Sequence, residues 1–218
     1  MHPQGAGAGP KKRQGAVSSI TDDEIREKYL ERAIRELNDL GRELSECADC
    51  PRGNVMPVQG SGHPQADIFM LKGSATPSEI EEGVAFYGRA GNALMKSFKR
   101  LAIDPIVVFG TLCAKCPLTD PTQASETCVA RVAEEIAIVQ PRMIVVMGDR
   151  ALDTLNDLEL PLAEPIEARE GEVQRLTPTI DALYVPDIDD SLDTDDAKQR
   201  FWSAFRVLGE WYDRLPPY

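Results

Sequence analysis

Four short apolar runs constrain this chain more than any other feature: Ala66–Leu71 (ADIFML), Ile106–Phe109 (IVVF), Met143–Met147 (MIVVM) and Leu183–Val185 (LYV). Each is rich in β-branched or bulky apolar residues and bounded by Gly, Pro or Asp, as strands buried on both faces are. Helical periodicity fills the gaps, at about 92–103, 124–139 and 149–156. Strand and helix in alternation predict βαβ units, with helices covering both faces of a parallel sheet. The fold class expected is therefore α/β, a three-layer α/β/α domain around a central, mostly parallel four-stranded sheet. In such sheets the loops at the carboxyl ends of the strands form the crevice. The crevice segments expected are residues 72–91, 110–116, 148–151 and 186–191.

The flanking sequence fits that frame. Thr21-Asp-Asp-Glu24 is a capping-box signature, and Ile25, Tyr29, Leu30, Ile34, Leu37 and Leu40 follow at helical spacing. At the other end Phe201, Phe205, Leu208 and Tyr212 repeat on one helical face, a stripe that reads as core. Residues 1–20 carry Lys11, Lys12 and Arg13 with few apolar side chains, and are expected to form a disordered basic tail before a single domain over 21–218. With 218 residues and 42% hydrophobic content, one substantial core is within reach.

Charge bears on partners. The tail holds three cations and no acids, so the rest of the chain carries −15 against −12 for the whole. That balance opposes nonspecific binding to DNA, whose affinity comes mainly from neutralising phosphates. No apolar run reaches the length of a membrane span or a signal peptide, so a cytoplasmic protein is expected, with no membrane partner and as a monomer.

In a reducing compartment five cysteines point to metal ligation before disulfides. Cys47-Ala-Asp-Cys50 is one CxxC, Cys113 and Cys116 make a second, and Cys128 follows. Two ligand sets compete on spacing alone. Cys47, Cys50, Cys113 and Cys116 would suit zinc, whereas Cys47, Cys50, Cys116 and Cys128 would suit an iron-sulfur cluster.

Several segments resemble the family four, iron-sulfur uracil-DNA glycosylases. They are Cys47-Ala-Asp-Cys50-Pro, Val58–Leu71, Phe86-Tyr-Gly88-Arg89-Ala90-Gly91, Thr111 with Lys115-Cys116-Pro117, Gln140–Gly148 with Ala151, and a C-terminal helix with Trp202. The resemblance implies a DNA-repair hydrolase that cleaves the N-glycosidic bond of a flipped base. It also implies a [4Fe-4S] cluster on Cys47, Cys50, Cys116 and Cys128, and DNA as the partner. Residues implied at the base site are Ser74, Phe86, Gly88, Arg89 and Leu112, with Phe86 as the ring on which the base stacks.

The chain departs from the family where its chemistry is done. Counting back from Phe86, the family's Gly-Glu-Ala-Pro-Gly loop falls on Lys72-Gly73-Ser74-Ala75-Thr76, so Gly73 stands where the water-positioning carboxylate should be. The uracil-reading Asn falls on Leu112, and the His that stabilises the departing base falls on Asp189. Hydrolysis builds negative charge on the leaving base, and an ionised Asp189 offers it only acceptors. Glu79 is the replacement carboxylate to weigh, against its reading with Glu81 and Glu82 as a solvated helix start. The acidic run from Asp187 to Asp196 is expected to be solvated or capping, and His63 to be a turn residue.

Overall fold

The computed structural model describes residues 21–118, 120 and 124–215. The basic tail expected over 1–20 lies outside them. Thr21 caps α1 (Asp22–Glu46) through the capping box read from sequence: its hydroxyl accepts from the Glu24 amide, and the Glu24 carboxylate accepts from the Thr21 amide. This helix runs up to Cys47, as its periodicity predicted.

The sheet has six strands in the order β1-β3-β2-β4-β6-β5. The four expected strands are its centre, β2 (Ile68–Ser74), β3 (Val108–Ala114), β4 (Met143–Met147) and β6 (Asp181–Val185), all parallel. Two short antiparallel edges were not anticipated: β1 (Ser61–Gly62) on β3 and β5 (Val173–Arg175) on β6. Pieces of two and three residues are too short to show a period.

The main correction is to strand length. β2 and β3 pair in register as far as Ser74 and Ala114, so Lys72, Gly73 and Gly110–Ala114, expected in crevice loops, are strand residues. A lysine and glycines ended the apolar runs in the sequence. In the fold those same positions are buried, because the surrounding elements supply Lys72 with partners.

Helices cover both faces, which makes the three layers. Against one face, α4 (Glu126–Val139) and α5 (Asp149–Asp157) pack on Phe69, Leu71, Ile144 and Val146, with Leu37 of α1 alongside. Against the other, α3 (Arg89–Arg100), α7 (Asp195–Phe205) and α8 (Val207–Tyr212) pack on Ile68, Met70, Val145 and Leu183. The C-terminal stripe is core here: Phe201 stacks on Phe205 at 5.1 Å, and Phe205 meets Phe98 of α3 at 6.0 Å. Two short helices, α2 (Pro77–Glu82) and α6 (Ile188–Ser191), follow the carboxyl ends of β2 and β6. From β2 the chain passes to β3 on one side, then crosses back to β4 on the other. The strand order reverses about β2, and a crevice forms at its carboxyl end.

Candidate functional site

The carboxyl end of β2 carries Lys72. Side chains alternate along a strand, so Met70 and Lys72 face α3 and α6 while Leu71 and Gly73 face α5. In register, Lys72 sits between Leu112 of β3 and Met147 of β4, and all three are fully buried. Its ammonium is held by two carboxylates. Nζ donates to Glu79 Oε2 at 2.8 Å and to Asp189 Oδ2 at 2.5 Å.

Glu79 is neither solvated nor free, contrary to both expectations for it. Thr76 and Pro77 start α2, and Glu79, three residues beyond Thr76, turns back into the protein. Its Oε2 accepts from the Thr76 amide at 2.7 Å and the Thr76 hydroxyl at 2.9 Å, while Oε1 accepts from the Phe86 amide at 2.5 Å. With Lys72, four donors occupy the two oxygens of a side chain with no exposed surface. Three of those donors crowd Oε2 and the Phe86 amide takes Oε1, and with no exposed surface the carboxylate is out of reach of bulk water. Glu81 and Glu82 are, respectively, exposed at the surface as expected.

Asp189 is the outermost member, with 29% of its side chain exposed. It rides on α6, whose first turn Asp187 caps by accepting from the Asp189 amide at 2.8 Å. Burial raises the Asp187 carboxyl above its ordinary value, with the charges of Asp189 and Asp190 adding to the rise. Two further acids of the run are paired within the protein. Asp193 meets Arg89 at 2.7 Å, Asp195 meets Lys198 at 3.0 Å, and Arg89 also donates to the Leu192 carbonyl. Arg89 thus fastens the segment after α6 from the outside while Lys72 fastens α6 from within.

Phe86 is held with equal care. Its φ of +59° is a strained backbone for a bulky residue. Two glycines make room for it. A Cβ on Gly91 would lie 1.8 Å from the Phe86 carbonyl oxygen, and one on Gly110 would lie 2.6 Å from its ring. Lys72 Nζ is 5.6 Å from the ring centroid, within cation–π reach. A cavity of about 480 Å³ opens beside the ring, lined by Met70, Met95, Phe98 and Val108. It lies on the α3 side, and Lys72, Leu112 and Asp189 take no part in its wall.

The remaining expected residues fall as follows. Gly73 faces away from this cluster, under Arg150, where a Cβ would approach the Arg150 side chain to 2.7 Å. Ser74, half-buried, ends β2, and Gly88 is the N-cap of α3. Leu112 packs with Val58 and Ala85 in a small apolar cluster. Sequence reasoning missed Lys72 as an actor. The signal was a cation ending an apolar run in a chain whose crevice segments are rich in acids.

The thiols separate into two groups. Cys113 points into the core between β3, α4 and α5, beside Thr154, and burial pushes it up to about 11. Cys50, Cys116 and Cys128 come together. The Ser125 amide donates to Cys50 Sγ at 3.5 Å and the Lys115 amide to Cys128 Sγ at 3.5 Å. Cys116 and Cys128 share a hydrogen bond that holds Cys128 down at about 6 and raises Cys116. Cys47, at the C-cap of α1, is partly exposed, and its carbonyl accepts from Arg52 at 2.8 Å. Among the described residues no three His, Cys, Asp or Glu side chains close around a single metal ion. The donor chemistry fits an iron-sulfur site: only thiols, mostly buried, with backbone N–H groups aimed at sulfur.

Comparison with known proteins completes the description. The chain is similar to a Type-4 uracil-DNA glycosylase of Pyrobaculum aerophilum, 28% identical over 145 residues, which cover 63% of this chain and 73% of that protein. The family model described as the uracil DNA glycosylase superfamily matches residues 59–206, a span that includes Lys72, Glu79, Phe86, Leu112 and Asp189. On that match, over all six strands of the sheet and the whole buried triad, the chain belongs to the uracil DNA glycosylase superfamily.

Proposed function

We propose that this protein is a DNA-repair-type glycosylase relative that has given up uracil excision and keeps the scaffold for binding. The observation that carries this reading is the buried triad. Lys72, bonded to Glu79 and Asp189 at the carboxyl end of β2, closes the crevice on the strand side of Phe86, while the cavity on the α3 side of the ring stays open. Withdrawing Lys72 would take from the buried Glu79 its counter-ion, and separating a buried pair costs roughly 3–5 kcal/mol. Leu112 adds a second obstacle, since it offers nothing to the polar edge of a pyrimidine, and sites that lose such a partner lose discrimination by about 10⁴ to 10⁵. Neither Gly73, which has no side chain, nor the fully buried, ion-paired Glu79 can orient an attacking water.

DNA is the partner this reading retains. The acids near the crevice spend much of their charge on Lys72, Arg89 and Lys198, which lessens the repulsion that the overall charge suggested. Exposed Lys96, Lys99 and Arg100 on α3 supply a local basic face. Cys47, Cys50, Cys116 and Cys128 would hold a [4Fe-4S] cluster, whose part is to tie α1, the end of β3 and the start of α4 together. A cytoplasmic, reducing setting suits such thiols.

The test uses protein purified without oxygen, whose visible spectrum and iron content are recorded first. It is then incubated with oligonucleotides bearing uracil, hypoxanthine or xanthine, single- and double-stranded. The reading expects DNA binding that weakens with salt, and no base release. Release of any of these bases at a rate that turns over would overturn it.

A further inference from the structure

The open cavity on the α3 side of Phe86, about 480 Å³, has the size of a small-molecule site. Its inner wall is apolar, made by Met70, Phe98 and Val108 with the Phe86 ring. Apolar side chains also gather at its mouth, where Tyr87 is 48% and Met95 50% exposed. Such a cluster marks a ligand-binding surface. Two polar side chains join the wall. The Ser61 hydroxyl donates to the Ala85 carbonyl at 3.0 Å, whereas Asn92 is exposed and its amide has no partner among the described residues.

The helix that carries Asn92 and Met95 is basic. α3 holds Arg89, Lys96, Lys99 and Arg100 and no acid, in a chain of net charge −12. Arg89 is engaged by Asp193 and the Leu192 carbonyl, and the Arg100 guanidinium lies over the Trp202 ring at 3.8 Å. Lys96 and Lys99 are exposed and have no acid partner among the described residues. Asn92, Met95, Lys96 and Lys99 stand at i, i+3, i+4 and i+7, so they share one face of the helix. The rim of the cavity therefore continues along α3 into two ammonium groups, about 6 and 10 Å from Asn92 along the axis.

A ligand that fits both parts carries a flat, weakly polar ring for the cavity and more than one negative charge for the lysines. Nucleic acid has that chemistry, and only an unpaired strand can offer the ring, because a duplex keeps its bases stacked and paired. We propose that the α3-side cavity receives an unpaired base of a single-stranded nucleic acid, whose neighbouring phosphates lie along Lys96 and Lys99. This rests on the DNA-binding reading above and specifies the form of the partner and its place. The site is separate from the crevice that Lys72 closes, since Lys72 takes no part in the cavity wall.

The experiment measures binding of the full chain to a short labelled oligothymidine, to the same strand with abasic residues, to a duplex and to thymidine monophosphate. Oligothymidine should bind at least about fivefold more tightly than the abasic strand, as stacking of a base requires. The monophosphate, with a single phosphate, should bind more weakly than the strand. Replacing both Lys96→Ala and Lys99→Ala should reduce the slope of log affinity against log salt by about 1.4. Met95→Ala, an exposed change, should weaken oligothymidine binding by about fourfold or more, the worth of one buried methylene, and leave the abasic strand unaffected. Equal affinity for thymine and abasic strands, a duplex or monophosphate bound as tightly as oligothymidine, or an equal effect of Met95→Ala on both strands would overturn the inference while leaving DNA binding in place. No binding to strand or duplex at low salt overturns both readings. Base release contradicts only the loss of excision proposed above.

Discussion

Lys72→Met is the most informative single change. Methionine matches the length of the lysine stem and removes only the ammonium, so packing between Leu112 and Met147 is preserved. What remains is Glu79, fully buried, facing Asp189 with no cation between them. Removing one partner of a buried ion pair costs about 3–5 kcal/mol. The lower end applies here, because Glu79 keeps three donors from Thr76 and Phe86, and Asp189 is 29% exposed and partly screened. For a chain of this length, a loss of about 3 kcal/mol lowers the thermal midpoint by roughly 6–12 °C. Urea unfolding followed by Trp202 and Trp211 fluorescence measures the loss directly. A double-mutant cycle with Asp189→Asn adds a second reading. Once Lys72 is gone, neutralising Asp189 relieves repulsion, so the double variant should be more stable than the two single losses predict, by about 1 kcal/mol. A loss under about 1 kcal/mol for Lys72→Met, or strict additivity in the cycle, would refute the idea that this ammonium holds the site shut.

Three further outcomes follow from the geometry. Gly91→Ala places a Cβ 1.8 Å from the Phe86 carbonyl oxygen, so it should destabilise the protein by about 2 kcal/mol or more and displace the Phe86 ring, measurable by urea unfolding and by ring NMR shifts. Cys113, raised by burial to about 11, holds its proton in the folded state while the unfolded thiol loses it near its ordinary value. The folded state then binds more protons across that interval, so the thiol contributes stability below about pH 9 that is lost as the pH rises to about 11. Cys113→Val should flatten that part of the stability profile. Cys116→Ala should abolish the brown absorbance of protein purified without oxygen, whereas Cys113→Ala should leave it intact, since Cys113 faces Thr154 and the core.

The parts of the fold legible in the sequence are those fixed by local pattern. Apolar runs gave the central strands, the Thr21 and Glu24 box gave the start of α1, and the Phe201 to Tyr212 stripe gave a packed helical face. Strand ends were less legible. A lysine and a glycine after Leu71 read as a loop, because nothing local says that a charge there is neutralised by Glu79 and by Asp189, the latter 117 residues away. Edges of two or three residues are set by what they pair with and carry no pattern of their own. At the site, the substitutions at Gly73, Leu112 and Asp189 could be counted from motif spacing, but their consequence could not. Strand alternation turns Gly73 towards Arg150 and puts its neighbour Lys72 into the crevice. The division of the thiols likewise depended on which way β3 points Cys113.

The central claim is that Lys72, held by Glu79 and Asp189, closes the crevice beside Phe86. A crystal structure of the protein soaked with uracil tests it most directly. Lys72 Nζ should lie within hydrogen-bonding distance of both Glu79 and Asp189, with Leu112 packed beside it and no uracil between Lys72 and Phe86. Density for uracil stacked on the Phe86 ring, with Lys72 swung out of the crevice, would contradict it.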